Sequence, residues 1–200
     1  MERTIHRITE LSDPNLGPWL DLYQTKFPLD EQVLVSTFIE ALRCEETDCR
    51  LITVLEAAEV VGMACFQLIP EVHAAYLWYL AAEPEGQGIG SWTYRRLIEM
   101  AGKELPGLRA IAFEVERPED SRDEHSRDLA LRRIDFYRRA GARLCGNIRY
   151  FQDVGWQPRI PMHLMIHPLD PISLTVEDAR GILHGVFGSA LEDSDALVFE

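Results

Sequence analysis

The sequence predicts an α+β fold built on a mixed sheet, and three observations lead there. The elements run strand, helix, helix, three strands, helix, strand, helix, two strands, so strands follow one another without a helix between each pair. One of them, residues 74–82, is almost wholly apolar, as a central strand covered on both faces is. The 200 residues, 46% of them hydrophobic, suffice for a single ordinary domain with a real core.

Residues 4–11 alternate loosely and read as the opening strand. Residues 14–27 suit a helix, with Asp13 as N-cap and Pro14 in the first turn, and Phe27-Pro28 breaks it. Asp30 then caps a second helix, in which Val33, Leu34, Thr37, Phe38, Ala41 and Leu42 form one apolar stripe. The run Glu45-Glu46-Thr47-Asp48 ends it. Residues 49–56 and 60–69 read as a strand pair joined by a tight turn at Ala57-Ala58-Glu59. Pro70-Glu71 breaks the chain before strand 74–82. A helix-like run follows at 92–105, and a strand at 108–116 is bounded by Pro106-Gly107 and Pro118. Residues 117–128 are polar without periodicity and are expected to form a mobile loop. Residues 129–140 form a short amphipathic helix stopped by Gly141 in the left-handed conformation. Residues 143–152 and 160–166 are the last strands, followed by a turn at Pro168 and Pro171. Thr175-Val176-Glu177-Asp178 resembles a capping box. It opens a terminal helix whose stripe is Val176, Ala179, Ile182, Leu183, Val186 and Phe187.

Between the apolar strand and its helix stands Glu85-Gly86-Gln87-Gly88-Ile89-Gly90-Ser91. A strand that turns through glycines into a helix brings backbone N–H groups together at the positive end of a helix dipole, which suits a phosphate. The spacing is not G-x-G-x-x-G, because the third glycine arrives one residue early. It is not a P-loop either, because no Lys follows Gly90.

Charge and cysteine use narrow the partners. With 20 Lys and Arg against 33 Asp and Glu, the net charge is −13. Nucleic acid and anionic membranes are not expected as partners, whereas a cationic amine is drawn in. Cys44, Cys49, Cys65 and Cys145 show no paired spacing. No apolar leader and no run long enough to span a bilayer is visible. A cytoplasmic protein with reduced thiols is the expectation. His163 and His167 share a strand face without a third ligand nearby, so they read as packing or surface residues and no metal is expected. Cys145 is a nucleophile only with a base beside it, and no motif supplies one.

The loop Gln87-Gly88-Ile89-Gly90-Ser91, together with Phe136-Tyr137 and Gly141-Ala142 downstream, resembles the GNAT superfamily of acyl-CoA-dependent N-acyltransferases. The resemblance spans residues 4–168. It implies a three-layer fold with a mostly antiparallel sheet of six to seven strands, splayed at its centre and flanked by helices. The chain is then one acyl-CoA N-acyltransferase-like domain over 1–200, with a core at 1–168 and an extension at 169–200 bearing one helix. Acetyl-CoA is the implied acyl donor. Its pyrophosphate would rest on the amides of Gln87, Gly88, Ile89, Gly90 and Ser91, and its pantetheine on the backbone of Leu80, Ala81 and Ala82. Glu85 stands where the family prefers Arg or Gln and is expected to point away. Ala130 stands where many relatives carry Asn near coenzyme A.

Tyr137 matches the family's general acid, which protonates the departing thiolate. For a base, alternation along 108–116 puts Glu114 and Glu116 on one strand face. Glu114 is the deeper, Glu116 reads as a solvated strand end, and Glu83 is a third option. Of Arg132, Arg133, Arg138, Arg139 and Arg143, one or two are expected to meet coenzyme A phosphates and the rest to pair with Asp128 and Asp135. The implied function is acetyl transfer to a primary amine of a small molecule or peptide, with a homodimer left open. Two other readings stay open: a non-catalytic acyl-CoA-binding regulatory or interaction domain, and a transferase of a larger acyl group.

Overall fold

The computed structural model describes residues 2–44, 48–169, 174–188, 191, 192, 198 and 199. The helix stop expected at residues 45–47 and the turn at Pro171 lie outside them. The chain forms two compact units, each drawing on separated stretches of sequence.

The first unit comprises Met1–Leu68, Leu77–Pro106 and Val154–Gln157. Strand β1 (Arg3–Ile8) pairs antiparallel with β2 (Cys49–Glu56), and β2 antiparallel with β3 (Glu59–Ile69). The later part of β4 (Ala74–Ala82) lies beside β3. Side chains alternate across these strands. One face, with Leu51, Met63, Cys65, Tyr79 and Ala81, is covered by Trp19 and Tyr23 of α1 (Leu16–Lys26) and Phe38 of α2 (Val35–Arg43). The rings meet edge to face, Trp19 to Phe38 at 5.0 Å and Tyr23 to Tyr79 at 4.8 Å between centroids, as ring quadrupoles favour. The other face carries Ile52, Val54, Ala64 and Phe66, all buried. Helix α3 (Ile89–Glu104) approaches this face at Gly62. A Cβ there would lie 3.3 Å from the Ala81 carbonyl and 3.4 Å from Ile89 Cγ2, so glycine lets strand and helix close up.

The second unit comprises Ile69–Tyr76, Gly107–Asp153 and Pro158–Glu200. The start of β4, Ala74–Tyr76, pairs parallel with Ala110–Ala112 of β5 (Ala110–Glu116), and that register goes no further although both strands continue. β5 pairs antiparallel with β7 (Ile160–Pro168), and β7 with β6 (Arg143–Gln152). Helix α4 (Glu124–Ala140) sets Tyr137 on Phe113. Residues of the other parity, Ala110, Ala112, Leu164 and Ile166, pack with Ala179, Ile182 and Leu183 of α5 (Val176–Phe187). The capping box that opens α5 is complete: Asp178 N–H donates to Thr175 Oγ1, and Thr175 N–H to Asp178 Oδ2, both at 3.1 Å.

The α+β class holds, with β4 and β5 parallel in a sheet that also has antiparallel pairs, but the described residues form nine strands. Two short tail strands, β8 (Leu191–Glu192) and β9 (Val198–Phe199), add to β6. Several boundaries also move, each for a local reason. Asp13 does not cap α1; its Oδ1 accepts the Asn15 backbone and side-chain amides at 2.9 and 3.1 Å, closing a turn before the helix starts. Asp30 does not cap α2. The Glu31 and Gln32 amides turn back onto the Pro28 and Leu29 carbonyls, Tyr79 Oη donates to the Glu31 carbonyl and accepts the Val33 N–H, and Tyr23 Oη donates to the Val33 carbonyl, so the helix waits until Val35, after an extended Leu34. The chain at 117–128 is no open loop. Pro118–Asp120 makes a 3-10 turn, and α4 begins at Glu124 with Asp123 accepting the Ser126 N–H at 2.7 Å. Residues 122–129 are all exposed, so this part of the helix needs no apolar periodicity. Pro168 ends β7 opposite Ala110 and forms no turn. Ala57 and Ala58 alone make the hairpin turn, with φ of 51° and 67°.

Candidate active site

The glycine loop belongs to the first unit. β4 ends in Leu80, Ala81 and Ala82; Ala81 is buried and its neighbours half-buried. All three lie beyond the register with β5, which stops at Tyr76. Gly86 and Gly88 take φ of 78° and 72°, a conformation that costs a residue with Cβ roughly 1–2 kcal/mol. Gly88 is the N-cap of α3, which starts at Ile89, three residues earlier than the apolar pattern suggests. The first helical bond runs from Trp92 N–H to the Gly88 carbonyl at 3.0 Å. The amides of Ile89, Gly90 and Ser91 precede it and have no partner within the helix. Gln87, Gly88 and Ser91 are exposed, and so is Glu85. A cation stands at this loop that the motif does not contain: Arg3 Nη2 donates to the Gln87 carbonyl at 3.2 Å, while its Nε pairs with Glu56. Glu83 is exposed and paired with Lys26 at 3.2 Å.

The titratable groups lie in the second unit. Tyr76 Oη lies 2.7 Å from both carboxylate oxygens of Glu114, and Gln152 Nε2 donates to Oε1 at 2.9 Å. Both donors favour the charged form, yet loss of hydration outweighs them and raises the Glu114 pKa to about 7. Part of the side chain still reaches solvent. Near neutral pH this carboxyl is divided between its two protonation states, as suits a general base. Tyr137 is buried, its ring 4.2 Å from that of Phe113 between centroids. Burial pushes its phenol up to about 12, so it stays protonated and able to donate at any ordinary pH.

Other expected residues fall differently. Glu116 is not a solvated strand end; it pairs with Arg133 of α4. Its Oε2 is buried with no hydrogen-bond partner among the described residues. Arg133 is thereby engaged with Glu116, and Arg143 lies over the Phe199 ring at 5.1 Å. Cys145 is buried, and desolvation pushes its thiol up to about 12, the reverse of what activates a nucleophile. His163 Nε2 lies 3.1 Å from Glu119, and His167 packs beside Gly141. Among the described residues no three His, Cys, Asp or Glu side chains gather as metal ligands would.

A strand-to-helix glycine turn, and a helix that ends in Tyr137 and a left-handed Gly141, are the two features that a family comparison then unites. The family model described as Acetyltransferase (GNAT) family matches residues 10–141. The chain belongs to the GNAT acetyltransferase family. It is therefore an acyltransferase by membership, and the matched span holds the glycine loop, Glu114 and Tyr137. The GNAT fold recurs in solved structures. A GNAT-family protein from Bacteroides thetaiotaomicron is 24% identical, with 92% of this chain and 96% of that one aligned at a TM-score of 0.69. The ribosomal-protein-S18-alanine N-acetyltransferase from Escherichia coli is 20% identical, with 87% and 99% covered and a TM-score of 0.56. A GNAT family acetyltransferase from Elizabethkingia anophelis with acetyl-CoA bound is 15% identical, with 84% and 98% covered and a TM-score of 0.58. At these identities the likeness is one of fold. No curated protein matches the chain. No helix among the described residues is long and apolar enough to cross a membrane.

Sequence reasoning missed Tyr76, Gln152 and Arg3. Tyr76 had one local signal: a hydroxyl-bearing ring set among apolar residues of a central strand needs a buried partner.

Proposed function

We propose that this GNAT protein is an acetyl-CoA-dependent N-acetyltransferase that acts by direct attack of a primary amine within a ternary complex. The observation that carries the reading is Glu114, a carboxylate on β5 with two fixed donors and a pKa brought to about 7. A lysine-like amine of pKa ~10.4 must lose a proton before it attacks, at a cost of roughly 4.6 kcal/mol at pH 7. An α-amine near ~8 costs only about 1.4 kcal/mol. Glu114 takes that proton. The neutral amine nitrogen bonds to the thioester carbonyl carbon, the carbon–sulfur bond breaks, Tyr137 protonates the departing thiolate, and the proton that the nitrogen sheds as the amide forms passes through solvent to restore the Tyr137 hydroxyl.

In this proposal the amides of Gln87, Gly88, Ile89, Gly90 and Ser91 hold the coenzyme A pyrophosphate without a metal. The backbone of Leu80, Ala81 and Ala82 takes the pantetheine and polarises the thioester carbonyl. Arg3, itself paired with Glu56, steadies the loop by donating to the Gln87 carbonyl. The acetyl-CoA bound to the Elizabethkingia structure supports the choice of donor. The free thiols of Cys44, Cys49, Cys65 and Cys145 fit a reducing, cytoplasmic setting.

The test is release of free thiol from acetyl-CoA against a panel of amines, polyamines, amino acids, aminoglycosides and peptides, with Glu114→Gln as control. Turnover that Glu114→Gln abolishes is expected. Tight acetyl-CoA binding with no turnover on any amine would make the chain a binding module instead. Faster turnover of propionyl- or succinyl-CoA would assign it a larger acyl group.

A further inference from the structure

The family match ends at residue 141, well before helix α5. In the second unit α5 lies against the strand face that carries Glu114. Ala179, Ile182 and Leu183 pack with Ala110, Ala112, Leu164 and Ile166, the residues that alternate with Phe113 on β5 and Met165 on β7. Three contacts hold the helix in place. Asp178 in its first turn pairs with Arg109 at 2.6 Å. Gly185 is so close to Val72 that any Cβ would collide with the valine side chain. Phe187 at the end of α5 meets Tyr76 edge to face, with centroids 5.1 Å apart and planes at 68°, and meets Tyr150 at 4.8 Å. Tyr150 belongs to the same packed cluster as Tyr76, whose hydroxyl rests on Glu114.

We propose that α5 is a working part of the proton-transfer site: Phe187 locks Tyr76 and Tyr150 together, holds the Tyr76 hydroxyl on Glu114 and keeps water from the carboxylate. Phe187 is a positioning residue, since it acts through Tyr76. The inference rests on the reading of Glu114 as base. The groups that bear on Glu114 are Tyr76 from β4, Tyr150 and Gln152 from β6 and Tyr137 from α4, all uncharged at neutral pH, and no neighbouring charge is among the causes of its shift. Its proton affinity is thus set by how well the aromatic cover excludes water against how firmly two donors hold the anion. A cover that arrives from the chain's last helix adjusts the first quantity without touching the residues that meet substrate.

The experiment is a carbon-13 titration of the Glu114 carboxyl in the full chain, assigned by loss of its signal in Glu114→Gln, with kcat followed against pH. Wild type is expected to titrate near 7. Phe187→Ala admits water and lowers the midpoint by about one unit or more, and Phe187→Val lowers it less. Tyr76→Phe removes a donor to the anion and raises it. The acidic limb of kcat moves with each midpoint. A folded Phe187 variant that keeps the wild-type midpoint and limb overturns the proposal, and so does a Tyr76→Phe midpoint that fails to rise. The underlying reading fails separately. If Glu114→Gln turns over normally, Glu114 is not the base, while the midpoints still judge the packing. If Glu114→Gln is inactive and Phe187→Ala leaves the titration unmoved, only the role of α5 falls.

Discussion

Glu114 binds its proton more tightly in the folded chain than in the unfolded one, with a pKa moved from 4.5 to about 7. Between those values the native state holds more protons, so stability falls as pH rises through this window and is level on either side. The full shift corresponds to about 3 kcal/mol, and solvent reaching part of the side chain reduces it to roughly 1–2 kcal/mol. Glu114→Gln is therefore expected to gain that much over wild type between pH 4 and pH 8, read from urea midpoints at both. Parallel pH dependence in the two proteins would mean that the carboxyl titrates normally. Tyr137→Phe keeps the ring on Phe113 and loses only the donor. It is expected to lower kcat by about 10²-fold with acetyl-CoA affinity unchanged by calorimetry, and a wild-type kcat would remove the hydroxyl from the chemistry. The places of Glu114 on β5 and of Tyr137 near the end of α4 were legible in the sequence, because strand alternation marks one and a helix-end motif marks the other. Tyr76 and Gln152 were not, because each stands 38 positions from Glu114 and only sheet pairing brings it near. Arg3 is further still from its loop, 84 positions away from Gln87.

At the scale of elements, strands β2, β4 and β6 have the ends that alternation and turn residues indicate, since apolar pattern and pairing agree there. Helix starts were less legible. Asp13 and Asp30 are good caps in isolation, but a turn onto Asn15 claims one, and a backbone turn followed by two tyrosine hydroxyls holds the chain beyond the other. The early turns of α4 escaped because an exposed helix carries no apolar stripe. The glycine loop allows a clean separation of fold from function. A Cβ at Gly88 meets nothing within 4 Å, so Gly88→Ala should cost about 1–2 kcal/mol of stability through φ alone. Its methyl would stand beside the α3 amides, and coenzyme A affinity is expected to fall at least tenfold by calorimetry. Undiminished affinity would place the pyrophosphate elsewhere. The Ala57-Ala58 turn makes the opposite case. Both alanines sit at positive φ, so Ala58→Gly should relieve strain and raise Tm by about 2–4 °C, and a lower Tm would contradict the left-handed assignment.

For the whole molecule, the α+β class and the family were legible because element order and two motifs agree. The tail strands were not, since a strand of two residues has no periodicity. The net charge of −13 acts over distances set by salt, about 10 Å at 0.1 M. With a polycationic acceptor, KM is expected to rise several-fold between 20 and 300 mM salt, while a neutral α-amine acceptor shows little change. Equal salt dependence for the two would mean that the acidic surface does not steer substrate. The weave of the two units bears on how such a chain diversifies. The backbone passes from one unit to the other five times, at 68/69, 76/77, 106/107, 153/154 and 157/158. No single cut in the gene frees either unit, and a chimera that exchanged one for a homologue's would need five junctions, one of them inside β4. An exchange of whole units must therefore carry all five junctions together, whereas a change confined to one unit leaves every crossing of the backbone as it is.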